Sequence, residues 1–306
     1  MTAKSELDAS PLLMSARNWV ELLTLGLVWG AAFFFGRIAV AELHPLALVF
    51  FRVSLAAMAL HLFLLLAGHR FRADRRMLGR LLMLSVMNNV IPFSLIFTGQ
   101  TAIGAGLASV INATTPFWTV IAAQMLTRDE KISANKLAGI GLGIAGAAIM
   151  VGPSAIAGVG GPAWAKFAIM GAALSYAFAA IFARSLKGIA PSHIAAGQLS
   201  FSALVMLPVM PFVVTAEGLL AVSAQTWAAV TALALLSTAF AYILYFRIVG
   251  SAGATNASLV TLVVPASAIV LGAVFLGERL EAFELAGLVL ITTGLVTIDG
   301  RLLRRR

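Results

Sequence analysis

The sequence predicts an all-α integral membrane protein with ten transmembrane helices, arranged as two inverted five-helix repeats with the N- and C-termini in the cytoplasm. Composition, the lengths of the apolar runs and an internal repeat together predict this class. The 306 residues are 61% hydrophobic and 11% charged, with a mean hydropathy of +1.00. Soluble domains are closer to half apolar and a quarter charged. Lipid is therefore expected to cover much of this chain.

Ten apolar runs follow one another along the sequence, and each is long enough for an α-helix that crosses a ~30 Å hydrocarbon core. The first run lacks the small-residue exit that a signal peptidase would cut, so we interpret it as an uncleaved membrane helix. The runs cover residues 18–39, 45–67, 78–99, 103–126, 134–151, 165–186, 191–214, 226–248, 254–276 and 283–299.

The loops between these runs carry charge unevenly. With ten spans, most basic residues fall on the side of the two termini, whereas the opposite loops are acidic. Because Lys and Arg are retained on the cytoplasmic side, we expect both termini there. The same clustering explains a pI near 10.8 without a nucleic-acid partner. The basic residues on the terminal side are Lys4, Arg17, Arg70, Arg72, Arg75, Arg76, Arg80, Arg128, Lys131, Lys136, Arg184, Lys187, Arg247, Arg301, Arg304, Arg305 and Arg306.

The second half of the chain is a diverged copy of the first. Residues 104–109 (GAGLAS) reappear as 253–258 (GATNAS), which places Pro116 on Pro265. Each copy holds an odd number of spans, so the second is inverted in the membrane, as in secondary transporters. The predicted organisation is a cytoplasmic segment 1–17, a first repeat 18–152, a periplasmic linker 153–164, a second repeat 165–300 and a basic cytoplasmic tail 301–306.

The two copies pair helix by helix. Further equivalent positions are Gly139 with Gly287, Gly146 with Gly294, Trp29 with Tyr176, Arg52 with Gln198, Asn88-Asn89 with Ser237-Thr238, and Phe93 with Tyr242.

Two five-helix halves, a proline within spans 4 and 9, and an acidic motif after each (residues 128–130 and 277–279) resemble the EamA-type transporters of the drug/metabolite transporter superfamily. The resemblance covers nearly the whole chain. It implies a ten-helix exporter of small metabolites, and within the family the chain is most similar to the bacterial aromatic amino acid exporters.

Other classes of function find little support in the sequence. Residues 141–146 (GLGIAG) match a dinucleotide fingerprint, but they lie inside a span rather than at a strand-to-helix turn. Small residues spaced this way instead let membrane helices pack closely. The chain has no cysteine, its four histidines are scattered, and neither His-Glu-x-x-His nor Gly-x-Ser-x-Gly occurs. We expect no metal, no cofactor and no catalytic residue, although an intramembrane enzyme stays a minor alternative.

Polar side chains in the middle of spans are the first candidates for a substrate site, because an unpaired amide in hydrocarbon costs several kcal/mol. They bind one another as glue between helices, or they line a shared central cavity of spans 3, 4, 8 and 9. The candidates are Asn88, Asn89, Asn112, Thr115, Ser237 and Thr238.

Deep aromatic residues are the second group, since they lie too far from the helix ends for an interfacial belt. Each either faces lipid or core, or walls a pocket for a flat ligand with a polar end. The candidates are Trp29, Phe33, Phe93, Trp118, Tyr176 and Tyr242.

Prolines inside spans are the third group. Proline removes a backbone hydrogen bond and kinks the helix, so the duplicated Pro116 and Pro265 are predicted hinges.

Ionisable groups near the membrane centre are scarce. Arg52 lies about two turns from the outer end of span 2 and either snorkels to the surface or serves a cavity. No Asp or Glu falls near the centre of a predicted span.

These observations predict an inner-membrane secondary transporter that exports aromatic and other neutral amino acids by alternating access, as facilitated diffusion. The single chain holds both halves, so a monomer is expected to suffice, with a small-molecule substrate and the lipid bilayer as its partners. The alternative is a multidrug, organic-cation or other metabolite exporter of the same superfamily, for which proton coupling stays open.

Overall fold

The computed structural model describes residues 15–68, 71, 74–126, 134–157, 161–186, 188–252, 257 and 259–299. Within these residues the regular secondary structure is helical. Besides a short helix Ala216–Leu220, the apolar helices are α1 Ala16–Ala39, α2 Pro45–Leu66, α3 Arg75–Gln100, α4 Ala105–Leu126, α5 Ala134–Ala157, α6 Ala163–Leu186, α7 Pro191–Val213, α8 Ala224–Ala252, α9 Val260–Leu276 and α10 Ala282–Asp299.

These helices follow the predicted runs closely at most ends. The main difference is α5, which continues to Ala157 and so extends into the predicted linker 153–164. The predicted start of the ninth run, at residue 254, lies outside the described residues. The predicted cytoplasmic segment, apart from its last residues, and the basic tail also lie outside them.

Local chemistry fixes where several helices begin and end. Ser15, Asp74 and Ser223 each accept a hydrogen bond from a backbone N–H of the first turn of α1, α3 and α8, which satisfies donors that the helix itself leaves unpaired. The helices α2 and α7 begin at Pro45 and Pro191, where the N–H that proline lacks would have no partner within the helix.

The outer surface is that of a membrane protein. Seven helices, α1–α4 and α6–α8, are long and apolar enough to cross a bilayer, and α5, α9 and α10 are apolar over shorter stretches. Large apolar side chains such as Leu66, Phe212 and Leu220 are more than three-quarters exposed. A soluble protein rarely presents so many, whereas lipid covers them without cost.

Glycines bring α5 and α10 into direct backbone contact. A Cβ built on Gly139 would lie 2.6 Å from the Gly294 carbonyl oxygen, and one on Gly146 would lie 2.8 Å from that of Gly287. The earlier residue of α5 therefore meets the later residue of α10, so the two helices run antiparallel. This close packing, within a continuous helix, is the role predicted for residues 141–146 instead of nucleotide binding.

A core joins helices from both halves of the chain. Within the described residues, α1 packs on α9, α2 on α7, and α3 and α4 on α6, while α8 packs on α1 and α2. The large side chains Leu48, Phe97 and Ile169 are among the fully buried members of this core. The helices of the two halves are therefore interleaved rather than separated into two bodies.

Three helices depart from regular α geometry near mid-length. Val86–Val90 in α3 and Leu235–Phe240 in α8 are π-helical, with hydrogen bonds one residue wider than in an α-helix. A turn at residues 113–114 interrupts α4. Such wide turns occur frequently at functional sites.

The predicted hinges occupy two different settings. Pro265 lies inside α9, as predicted. Pro116, predicted to lie inside a continuous helix, follows directly after the interruption of α4, because its segment restarts at Thr115. Proline fits there since the first N–H groups of a helical segment need no partner within it.

Candidate functional site

The two π-helical segments carry the polar residues at which the halves of the chain meet. Asn88 and Asn89 lie in the segment of α3, and Ser237 and Thr238 lie in that of α8. The sequence comparison matched these two pairs to each other. A π turn leaves backbone carbonyls imperfectly paired and displaces side chains from the regular helical face. The equivalent distortion therefore falls on equivalent polar residues.

Three side chains of the second half bind the two asparagines. Asn88 Nδ2 donates to Gln198 Oε1 at 3.1 Å and to the Tyr242 hydroxyl at 3.4 Å. Asn89 is fully buried and donates to Ser202 Oγ at 3.0 Å. The Tyr242 hydroxyl donates to Asn89 Oδ1 at 3.3 Å. Because buried amides must be paired, this network ties α3 to α7 and α8.

Arg52 lies on the other side of the same region. Its side chain points into the protein, with 8% of the residue exposed, so it does not snorkel to the surface. Nε donates to Thr238 Oγ1 at 2.9 Å, and the guanidinium carbon lies 3.7 Å from the centroid of the Phe93 ring. The Phe97 ring centre is 5.7 Å away. Both rings attract the cation through their negative faces.

These contacts obey the internal repeat. Arg52 on α2 bonds Thr238 in the π segment of α8, and its equivalent Gln198 on α7 bonds Asn88 in the π segment of α3. Arg52 also covers Phe93, whose equivalent is Tyr242. The second helix of each half therefore reaches the third helix of the other half. We call the contact of Arg52 with Thr238 and the contact of Gln198 with Asn88 the two arms of the site. They differ in charge, because one holds a guanidinium and the other an amide.

Aromatic rings surround the polar residues. Trp29 and Tyr245 have ring centres 5.5 Å apart, and Tyr242 stacks on Phe246 at 6.0 Å. Tyr176 lies near Arg52, as Tyr242 does. Trp29, Tyr176 and Tyr242 remain half-buried, while Phe33 belongs to the core. Of the predicted aromatic residues, Phe93 therefore contacts Arg52 and Tyr242 bonds both asparagines, whereas Trp29 lies beside Tyr245.

The predicted site residues of α4 form a separate, local group. The Thr115 hydroxyl donates to the Asn112 carbonyl at 2.7 Å, and Trp118 Nε1 donates to Thr114 Oγ1 at 3.2 Å. Asn112 Oδ1 is buried, and no hydrogen-bond partner for it occurs among the described residues. These bonds stay within α4 and satisfy the groups freed by its interruption.

Arg52, Gln198 and Ser202 were not among the predicted site residues. The sequence left Arg52 between two interpretations, and depth alone gave no reason to choose Ser202. The available signal was the repeat itself, which matches Arg52 with Gln198. Two chemically different polar residues at equivalent mid-membrane positions indicate a shared location with unequal roles.

Charged groups are paired toward the helix ends. Lys166 and Glu284 are both buried, with Nζ 3.7 Å from Oε1, and Lys166 also donates to the Met150 carbonyl at 2.7 Å. Glu278 accepts the N–H groups of Ala105 and Gly106 at the start of α4, at 2.8 and 3.1 Å. A depression of about 480 Å³ lies beside Glu278 and Glu284.

Outside the membrane helices, Glu42 accepts both the backbone N–H and the hydroxyl of Ser223, at 2.7 and 2.8 Å. These two bonds lower the pKa of the Glu42 carboxyl from its ordinary value, with the backbone bond as the larger cause. The contact fixes the loop before α2 to the start of α8. No group of three or more potential metal ligands occurs among the described residues.

Comparisons with known proteins agree with this architecture. The model of the EamA-like transporter family matches residues 19–152 and again residues 163–298. The chain is 27% identical over 282 residues to the uncharacterized inner membrane transporter YedA of Escherichia coli (strain K12), covering 90% of this chain and 89% of that protein. It is 26% identical to a probable amino-acid metabolite efflux pump of Salmonella typhimurium (strain LT2), covering 95% and 98%. One crystal structure superposes with a TM-score of 0.67 at 17% identity, covering 95% of this chain and 99% of that one.

Proposed function

Because the chain belongs to the EamA-like transporter family, we propose that it is an inner-membrane secondary transporter that exports aromatic and other neutral amino acids. The family assignment makes it a membrane transporter, and we propose no enzymatic activity for it. Two similar proteins, from Salmonella typhimurium and Escherichia coli, are named probable amino-acid metabolite efflux pumps, and another is named an inner membrane transporter. These names support the location and the substrate class.

The transport mechanism is alternating access between two inverted repeats, 18–152 and 165–300, with ten spans and both termini cytoplasmic. The double match of one family model supports the repeats. The α5–α10 contact supports the inversion, because Gly139 meets Gly294 while its equivalent Gly287 meets Gly146. A two-fold axis perpendicular to both helices produces this exchange. Such an axis lies in the plane of the membrane if the helices cross it.

The polar contact between the halves carries the assignment of the substrate site. Five polar residues form hydrogen bonds with one another at the π-helical segment of α3, namely Asn88, Asn89, Gln198, Ser202 and Tyr242. Buried groups of this kind must keep partners when helices move apart. A substrate with polar end groups supplies those partners, and the half-buried aromatic rings contact its apolar part. This division of roles suits an aromatic amino acid.

The charges at the site support facilitated diffusion. A zwitterion carries no net charge across the membrane, and the described centre around Asn89 holds no carboxylate for a proton. Glu284, the buried carboxylate of α10, is already opposed by Lys166. A single chain with both halves completes the site, so the monomer is the transporting unit.

The test is exchange of labelled phenylalanine, tryptophan and threonine in proteoliposomes, with and without a pH gradient. We expect saturable aromatic exchange that ignores the gradient, and Asn89→Leu should abolish it while the variant stays folded. Asn18→Leu is a matched control, since Asn18 is a buried amide near the start of α1, away from Asn89, and accepts a hydrogen bond from the Ser251 hydroxyl. Normal exchange by Asn89→Leu would remove Asn89 from the site. A requirement for the gradient would instead favour proton coupling.

A further inference from the structure

Arg52 carries a positive charge into a part of the protein that offers it no counter-charge. It is seven residues into α2, about 10 Å along the helix axis from Pro45. The residue is 8% exposed, and within the described part of the chain it forms no ion pair with an acidic side chain. Buried charges in proteins are ordinarily paired, and unpaired ones at membrane depth mark binding sites.

The contacts of Arg52 hold it in place without using its full binding capacity. Thr238 accepts from Nε, and the Phe93 ring lies against the face of the guanidinium at 3.7 Å. A guanidinium carries five N–H donors, all in its plane. Contact with a ring face leaves that plane accessible at its edge. The described contacts therefore orient the group and leave its terminal nitrogens for another acceptor.

The surroundings select the kind of acceptor. Tyr176 and Tyr242 lie near the guanidinium, and each carries an aromatic ring and a hydroxyl. Gln198, the equivalent of Arg52, is neutral and bonds Asn88. The region thus combines the cation of Arg52 with neutral amide and hydroxyl groups and with aromatic rings. An organic cation would meet repulsion at Arg52.

We propose that Arg52 binds the carboxylate of the transported solute through its terminal nitrogens, so that this protein selects solutes with one carboxylate group and rejects their amides and organic cations. This inference rests on the transport function proposed above and names the substrate class of the same site. The planar fork of arginine matches the two oxygens of a carboxylate. Thr238 and Phe93 are positioning residues, because they hold the fork in one orientation.

The test compares ligands that differ only in the carboxylate. Purified protein in detergent is heated with 3-phenylpropionate or with 3-phenylpropionamide, and the aggregation temperature is recorded. The wild type should be stabilised by the carboxylate and not by the amide at equal concentration. Arg52→Met should lose this difference. Arg247→Gln should keep it, since Arg247 is largely exposed and pairs with Glu21.

Transport supplies the second readout. In proteoliposomes, Arg52→Met should raise the phenylalanine concentration for half-maximal exchange by about tenfold or more, the effect of losing a charge-assisted pair. Phenylalaninamide should compete poorly with phenylalanine in the wild type, and Arg52→Met should narrow the difference between these ligands. Arg52→Lys keeps the charge but loses the fork, so it should fall between the two. If Arg52→Met does not fold, Arg52→Lys decides, because an unchanged preference for carboxylate over amide in that variant would overturn the role of the fork.

The outcomes separate this inference from the proposed function. Equal stabilisation of the wild type by acid and amide, or a carboxylate effect that survives Arg52→Met, overturns the role of Arg52 even if amino acids are exchanged. If 3-phenylpropionate stabilises the protein through Arg52 but no amino acid is exchanged, the carboxylate site is supported and amino acids are rejected as its substrate. The absence of both effects overturns both proposals.

Discussion

The buried ion pair between Lys166 and Glu284 gives a sharp test of the packing between α6 and α10. Lys166 is fully buried, the Glu284 side chain is 3% exposed, and their charged atoms lie 3.7 Å apart. At an effective dielectric constant near 20, two unit charges at this distance attract by about 4.5 kcal/mol. Lys166→Met removes this attraction and the bond to Met150, and leaves the Glu284 carboxylate buried without its counter-charge.

We expect Lys166→Met to lower the free energy of unfolding by about 3–5 kcal/mol, the usual cost of breaking one side of a buried pair. The double variant Lys166→Met/Glu284→Gln removes both charges and should recover most of that loss, because the desolvation cost disappears with the charges. The difference between the double variant and the sum of the single variants measures the coupling directly.

The assay is equilibrium unfolding in mixed detergent micelles, followed by the fluorescence of the five tryptophans. Arg247→Met provides a control pair, since Arg247 lies 3.6 Å from Glu21 but its side chain is 55% exposed. That variant should lose less than about 1 kcal/mol. The reasoning fails if Lys166→Met behaves like the control, or if the double variant is as unstable as the sum of its single changes.

Two further predictions concern the loop at Glu42 and the α5–α10 contact. The bonds from Ser223 lower the pKa of the Glu42 carboxyl below 4.5. The contribution of Glu42 to stability is therefore present above that value and disappears as the pH falls through the lowered pKa. The thermal midpoints of wild type and Glu42→Gln should differ at neutral pH and converge under acid conditions. Gly146→Leu would force a Cβ to within 2.8 Å of the Gly287 carbonyl oxygen, whereas a Cβ at Gly141 on the same helix meets no heavy atom within 4 Å. Size-exclusion profiles should therefore show loss of monodisperse protein for Gly146→Leu and little change for Gly141→Leu.

The fold was predictable from the sequence because a bilayer imposes a length on each helix. Backbone groups in hydrocarbon have only one another as partners, so every crossing segment must be a long apolar helix. The predicted runs at 18–39 and 45–67 accordingly match α1 and α2 closely. The interruption of α4 and the π segments were not predicted, since they depend on compensating bonds from neighbouring helices. Proline 116 indicated a disturbance near the break but not its form.

The sequence predicted which polar residues of the candidate site lie deep in the membrane, but not which residues they bond. Asn89 and Thr238 could be chosen because unpaired polar groups are costly in hydrocarbon. Their partners could not, because the lipid-facing and core-facing sides of a membrane helix are both apolar and periodicity does not fix its rotation. Ser202 is therefore recognised only once α7 is seen against α3. Thr115 bonds the Asn112 carbonyl of its own helix, a local bond that hydroxyl side chains can form and that was not predicted.

The difference between the two arms of the site gives the repeat its functional meaning. If the two repeats exchange conformations, each contact of one arm is replaced by its equivalent in the other arm. A fully symmetric site would therefore hold a substrate equally well in two orientations. Arg52 and Gln198 break this equivalence. In the alternating-access cycle proposed above, a carboxylate bound at Arg52 would keep its charged end against α2 while the bonds of Asn88 and Asn89 open and close. The charge would then stay with one repeat throughout the cycle, and the neutral contact of Gln198 would be the one free to change partners.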